Sequence, residues 1–274
     1  MKQRCKELPE ELWGSILNRL ADDDDDDYCD LQSPSLVCKQ FLSITNRFRQ
    51  KLAANGNVFY SNRCETLCRA LERFGSLKEI ELSLIGAESD VNCPLLRIAS
   101  SGLDLQSLSL YGFPNSPSAN TFRILGSNMN NLKVLRCTEF VSLRDPDLVH
   151  LADALPWLEE LDIRHLITES NHSVTDAGIE AISRKLLGLR KINISGNRGC
   201  SDRSLIALSS NCVLLIEIRC STCNITAAGI DFALRHSPNL ISLRARDYQS
   251  SFTFEDSKTC ARNLRAIDLC SYGN

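Results

Sequence analysis

The feature that most constrains this chain is a six-residue pattern, apolar-x-x-apolar-x-apolar, that returns along most of its length. It stands as Leu77-Lys78-Glu79-Ile80-Glu81-Leu82 and as Leu105-Gln106-Ser107-Leu108-Ser109-Leu110. It returns as Leu132-Lys133-Val134-Leu135-Arg136-Cys137, Leu158-Glu159-Glu160-Leu161-Asp162-Ile163 and Leu189-Arg190-Lys191-Ile192-Asn193-Ile194. Three more follow: Leu215-Ile216-Glu217-Ile218-Arg219-Cys220, Leu240-Ile241-Ser242-Leu243-Arg244-Ala245 and Leu264-Arg265-Ala266-Ile267-Asp268-Leu269. Subtracting successive first positions gives steps of 28, 27, 26, 31, 26, 25 and 24 residues. A unit of this size cannot bury its apolar face alone, so the chain must stack its units side by side.

The last three residues of each hexad alternate apolar-polar-apolar, the period of a half-buried strand. Between hexads lies a helical pattern with its own cap. Val174-Thr175-Asp176-Ala177-Gly178-Ile179 and Ile225-Thr226-Ala227-Ala228-Gly229-Ile230 place Thr175 and Thr226 where a hydroxyl can accept from orphan amides. Ile179 with Ile182, and Ile230 with Leu234, then share an inward face. One strand and one helix per repeat, at this period, predict an α/β leucine-rich-repeat solenoid.

Composition excludes several other classes. Of 274 residues, 43% are hydrophobic and 24% charged, an ordinary globular balance, and the net charge of −3 gives no support for non-specific nucleic-acid binding. No stretch has the apolar length of a signal peptide or a membrane span, which predicts a soluble protein of the cytoplasm or nucleus. The glycosylation patterns at Asn171, Asn193 and Asn224 carry no meaning there. Thirteen cysteines without paired spacing read mostly as free core fillers. Cys220 and Cys223 form a C-x-x-C, and Cys64 and Cys68 lie four apart. A zinc site needs a second pair at matching spacing, and Cys220 falls on an apolar strand position, so neither a metal nor a cofactor is expected. The histidines, His150, His165, His172 and His236, show no ligand pattern. The chain also lacks a phosphate-cradling glycine loop with lysine and a G-x-S-x-G elbow, so no enzyme is expected.

The segment from Cys212 through Cys220-Ser221-Thr222-Cys223-Asn224 to Ile230 resembles the cysteine-containing leucine-rich repeats of F-box proteins. The likeness covers residues 57–274, about eight repeats, with Val58-Phe59-Tyr60 as an irregular first strand. Residues 5–50 have a different texture. Pro9 suits a first helical position, and Leu12, Ile16, Leu17 and Leu20 make one apolar face. Leu36-Val37-Cys38-Lys39-Gln40-Phe41-Leu42-Ser43-Ile44 is a second helical pattern. Read from the residues alone, this is a helical cap over the first repeat. Leu8-Pro9-x-x-Leu12, Ile16 and Leu20, followed by Leu36-Val37-Cys38-Lys39-x-Phe41, also resemble an F-box, and the whole chain resembles the plant-like F-box and leucine-rich-repeat family.

That resemblance implies the substrate-recognition subunit of a cullin-based (SCF-type) ubiquitin ligase that marks targets for proteasomal degradation. Leu8, Pro9, Leu12, Ile16, Val37 and Phe41 would carry the contact with a Skp-type adaptor, and through it a cullin, while the repeats hold a target protein. Two departures stand out. Asp22 to Asp27 form a run of six aspartates between the two halves, which reads as a disordered insertion, and Pro34 falls within the family's middle helix. The alternative is a repeat scaffold with a degenerate F-box and no ligase role. The polar strand positions should line the concave side. The early ones are acidic and the late ones more basic, so Arg164, Lys191, Arg219, Arg244 and Arg246 are the candidate target-binding residues. The sequence stops at Asn274 just after a strand pattern, which predicts a solenoid without a C-terminal capping helix.

Overall fold

The computed structural model describes residues 9, 12–13, 15–16, 36–55, 63–83, 90–165, 174–246 and 263–270. Leu8, the Asp22 to Asp27 run, Pro34, Val58 to Tyr60, the side chain of Cys64 and Ser271 to Asn274 lie outside them.

Among the described residues, nine parallel strands lie in one sheet in chain order, so each strand pairs with its neighbours in sequence. They are β1 (Lys51–Asn55), β2 (Glu79–Ser83), β3 (Ser107–Tyr111), β4 (Val134–Thr138), β5 (Glu160–Asp162), β6 (Lys191–Asn193), β7 (Glu217–Arg219), β8 (Ser242–Arg246) and β9 (Ala266–Cys270). Parallel neighbours need a crossover, and helices supply it from β1 to β8. These are α2 (Arg63–Arg73), α3 (Asn92–Ala99), α4 (Ala119–Asn128), α5 (Asp145–Ala154), α6 (Asp176–Ser183), α7 (Asp202–Asn211) and α8 (Ala227–His236), preceded by α1 (Lys39–Phe48) before β1. The register stacks the hexads: Ile80 pairs with Leu108, Leu108 with Leu135, Leu161 with Ile192 and Ile192 with Ile218. These residues are buried between sheet and helices, and with the leading leucines from Leu77 to Leu240 they form one continuous core.

The sheet begins earlier than the hexads suggested. Strand β1 pairs Leu52 with Ile80 and Ala54 with Leu82, which aligns Arg49 with Leu77. The hexad's leading apolar residue is therefore an arginine, which hid the unit from pattern matching. Its guanidinium lies 5.0 Å from the centre of the Phe74 ring, and its Nε is buried with no acceptor among the described residues. Burial, reinforced by the charge of Arg73, lowers the Arg49 pKa from its ordinary value. The second N-terminal helix also starts later than its pattern. Cys38 is the N-cap of α1, its Sγ accepting from the Phe41 amide at 3.5 Å, so Leu36 and Val37 lie in the turn before the helix. An N-cap must leave helical backbone angles, and Cys38 is extended at φ −163°.

The helix starts are joined from repeat to repeat. Thr175 and Thr226 cap α6 and α8 as expected, each hydroxyl accepting from an amide two residues on at 3.2 Å. Each also donates to the first helical aspartate of the repeat before. Thr175 Oγ1 reaches Asp145 Oδ2 at 2.6 Å, Ser201 Oγ reaches Asp176 Oδ2 at 2.6 Å, and Thr226 Oγ1 reaches Asp202 Oδ2 at 2.6 Å. The capping residue's own N–H donates to the other oxygen in each case. Asn92 plays the same part for Ser118 and Thr121. The approach explains two glycines: a Cβ at Gly178 would sit 2.4 Å from Asp145 Oδ1, and one at Gly229 would sit 2.3 Å from Asp202 Oδ1. Where the third α7 position is Ser204, its hydroxyl instead donates to Asp176 at 2.6 Å.

Candidate binding face

Along β2, β3, β7 and β8 burial alternates and the side chains facing away from the helices are mostly polar and partly exposed, whereas Asp162 of β5 and Asn193 of β6 are polar and buried. Solenoids of this kind use that face to bind. Near its middle is a shallow hollow of about 310 Å³, lined by Arg136, Arg164, Lys191 and Arg219 with Glu160, Asp162, Glu217 and Asn193, over Leu161 and Ile192. It joins three of the five cations expected from the sequence, Arg164, Lys191 and Arg219. Arg244 and Arg246 lie one strand further on, in β8. Sequence reading passed over Arg136, although its place in the Leu132 hexad matches that of Arg219 in the Leu215 hexad; the polar-position rule would have found it.

The cations do not stand alone. Arg136 donates to Glu160 Oε1 at 2.7 Å and to the Ser107 and Ser109 hydroxyls at 3.3 and 3.4 Å. Arg219 Nε donates to Glu217 at 2.6 Å. Lys191 Nζ lies 3.8 Å from Glu160 and Arg164 Nε lies 3.8 Å from Asp162, ion pairs too long to be hydrogen bonds. Asp162 instead accepts from the Arg164 amide at 3.0 Å and from Asn193 Nδ2 at 3.2 Å. Arg246 donates to both oxygens of Asp268, and Arg244 Nε approaches it at 3.2 Å. The Arg246 hydrogen bonds, aided by the charges of Arg246 and Arg244, hold the Asp268 carboxyl below the usual carboxylate range.

The cysteines face the other way. Cys137, Cys200, Cys212, Cys220 and Cys223 are buried and free. Burial pushes Cys137, Cys212 and Cys220 up to about 12 and raises Cys200 and Cys223 as well. Cys223 Sγ donates to the Ile194 carbonyl at 3.2 Å and Cys220 Sγ to that of Arg244 at 3.6 Å. The C-x-x-C is thus two core thiols that satisfy separate backbone groups. Cys93 is disulfide-bonded. Among the described residues no group of three His, Cys, Asp or Glu could hold a metal, and no helix is long and apolar enough to cross a membrane.

The expected adaptor residues lie at the N-terminal end, before β1. Leu12, Trp13, Ser15 and Ile16 are helical, and the Leu12 amide donates to the Pro9 carbonyl at 3.0 Å. The Trp13 ring meets the Phe41 ring edge-on at 4.8 Å, joining the two halves of the segment. Ile44 and Thr45, further along α1, are buried, whereas Leu12, Ile16 and Val37 are exposed.

No protein-family model matches the chain, and no curated protein matches its sequence. Solved structures do resemble it in shape. The leucine-rich-repeat-containing protein LegL7 from Legionella pneumophila is similar over 93% of this chain and 87% of its own, at 13% identity and a TM-score of 0.53. A TLR13 chain in complex with ssRNA13 is similar over 84% of this chain at 15% identity and a TM-score of 0.48. This chain covers 33% of the TLR13 chain. The parallel strands, the helical crossovers and the likeness to LegL7 define an α/β leucine-rich-repeat solenoid.

Proposed function

We propose that this chain is a substrate-recognition subunit of a cullin-based ubiquitin ligase, in which the N-terminal helical segment docks a Skp-type adaptor and the open sheet face holds a target protein. The chain performs no bond chemistry itself; it works by holding the target near catalytic groups on other subunits. One observation carries this reading. Leu12, Ile16, Leu36 and Val37 are 49%, 41%, 85% and 69% exposed, although they lie on the segment whose apolar residues a simple cap would turn inward. Burying such a side chain is worth roughly 1.5–3 kcal/mol, and several left in water on one short segment support docking of a partner there. The Trp13–Phe41 contact brings the two halves of the segment together, which supports their acting as one docking surface.

The test is co-purification of a Skp-type adaptor with the full chain. Leu12→Asp combined with Val37→Asp is expected to abolish capture while the urea midpoint stays unchanged, and Leu8→Ala with Pro9→Ala is expected to weaken it. Undiminished capture by the Asp variant rejects the docking assignment. Absence of capture by the unmodified chain leaves a repeat scaffold with a degenerate F-box.

A further inference from the structure

We infer that the open face from β4 to β8 binds an extended acidic segment of a partner protein, about six residues long. The inference rests on the target-holding role proposed above and specifies the chemistry of the target. Each of these five consecutive strands presents at least one cation: Arg136, Arg164 just past β5, Lys191, Arg219, and Arg244 with Arg246. The carboxylates among them sit lower. The side chains of Asp162, Glu160 and Glu217 are 11%, 21% and 21% exposed, and that of Asp268 is 30% exposed. The cations run from 34% at Arg136 to 56% at Arg246. An approaching molecule therefore meets guanidinium and ammonium heads first, with the carboxylates underneath.

Those heads keep donors to spare. Lys191 Nζ and the Arg164 guanidinium make no side-chain hydrogen bond among the described residues, and Arg219 spends only its Nε on Glu217. A guanidinium fork of this kind takes a carboxylate through two parallel bonds. Strands about 4.8 Å apart spread five strands over about 19 Å, the length of about six extended residues. The carboxylates interleaved with the cations decide against a polynucleotide. Six cations over four carboxylates leave a local excess of two, enough for a peptide with spaced acids. That excess is too small for a phosphate backbone, whose binding depends on neutralising many charges.

The experiment uses the full chain and fluorescence anisotropy of a labelled eight-residue peptide with Glu at alternate positions. A matched peptide with Gln in place of Glu is the control. The Glu peptide is expected to bind at least about tenfold more tightly than the Gln peptide, and Arg164→Glu or Arg219→Glu to weaken it by about tenfold or more. Arg123→Glu, on the exposed side of α4, should leave binding unchanged. Equal binding of the two peptides, indifference to Arg219→Glu, or tighter binding of a single-stranded oligonucleotide than of the Glu peptide overturns the inference. Adaptor capture, measured on the same Arg219→Glu protein, keeps the two readings apart. Capture without peptide binding sinks only the acidic-segment inference, and peptide binding without capture sinks only the ligase reading.

Discussion

At the residue scale, Arg49 departs most sharply from its surroundings. It stands where later repeats bury a leucine, with a like charge, Arg73, around the same Phe74 ring. Its Nε is desolvated without an acceptor among the described residues, and such an orphan donor costs about 1–3 kcal/mol. Arg49→Leu restores the column and removes the repulsion, so the variant is expected to be more stable by about 1 kcal/mol. Urea unfolding checks this, and a lower midpoint for the variant refutes the account. The buried thiols show the opposite logic. A small, weakly polar group in an apolar column is cheap, and a pKa near 12 keeps Cys137, Cys212 and Cys220 neutral at any physiological pH.

At the element scale, the helix starts hold the stack together. Asp176 sits between two repeats and accepts from the amides and hydroxyls of Ser201 and Ser204, at 2.6 to 3.1 Å. Burial opposes its ionisation, but those four hydrogen bonds outweigh it and hold the carboxyl below its ordinary value. A native pKa below the unfolded one stabilises the fold above the unfolded pKa, and the contribution fades as pH falls through the native pKa. Asp176→Asn is therefore expected to lose about 2 kcal/mol at pH 7, the scale of hydrogen bonds to a charged group. Its gap from the unmodified chain should narrow below about pH 4. A gap that stays constant down to pH 3 would show that the charge is irrelevant. The turns after the strands form a second ladder. The amides of Gly112, Glu139, Gly196 and Thr222 each donate to a carbonyl of the next repeat, at 2.8 to 3.1 Å, and all four residues have φ between +58° and +82°. Glu139 and Thr222 hold that left-handed geometry at a steric cost, which the inter-repeat bond and its neighbours offset.

For the whole molecule, stability is a sum of repeats and the interfaces between them. Burial is not even along the sum. Ile192 and Ile218 are fully enclosed, whereas Ile267 and Leu269 of β9 are only partly buried against the core. Amide exchange is thus expected to be slowest in β4 to β7 and faster by about a hundredfold or more in β9, since local opening follows local burial. Mass spectrometry of exchanged peptides reads this directly. Equal protection across the strands would mean that the solenoid opens only as one unit. The net charge of −3 conceals a local excess of cations on the open face, so salt should affect binding there far more than it affects folding.

The sequence by itself determined the repeat. Leucines recurring at 24 to 31 residues, with a strand period inside and a capped helix between, allow one economical way to bury apolar surface. The same rule puts Lys191, Arg219, Arg244 and Arg246 on strand positions, because strand alternation fixes which side chains face away from the helices, while Arg164 lies just past β5. Tertiary structure alone decided the rest. It made a strand of Lys51–Asn55 through pairing with β2, despite the arginine that breaks its hexad. It set Asp145, Asp176 and Asp202 against residues 24 to 30 positions later, contacts that no local pattern encodes. It also settled the electrostatics of the open face. Which cation pairs with which carboxylate, and which of the two is more exposed, depends on strand register and side-chain height over the sheet, and neither is written in a single repeat.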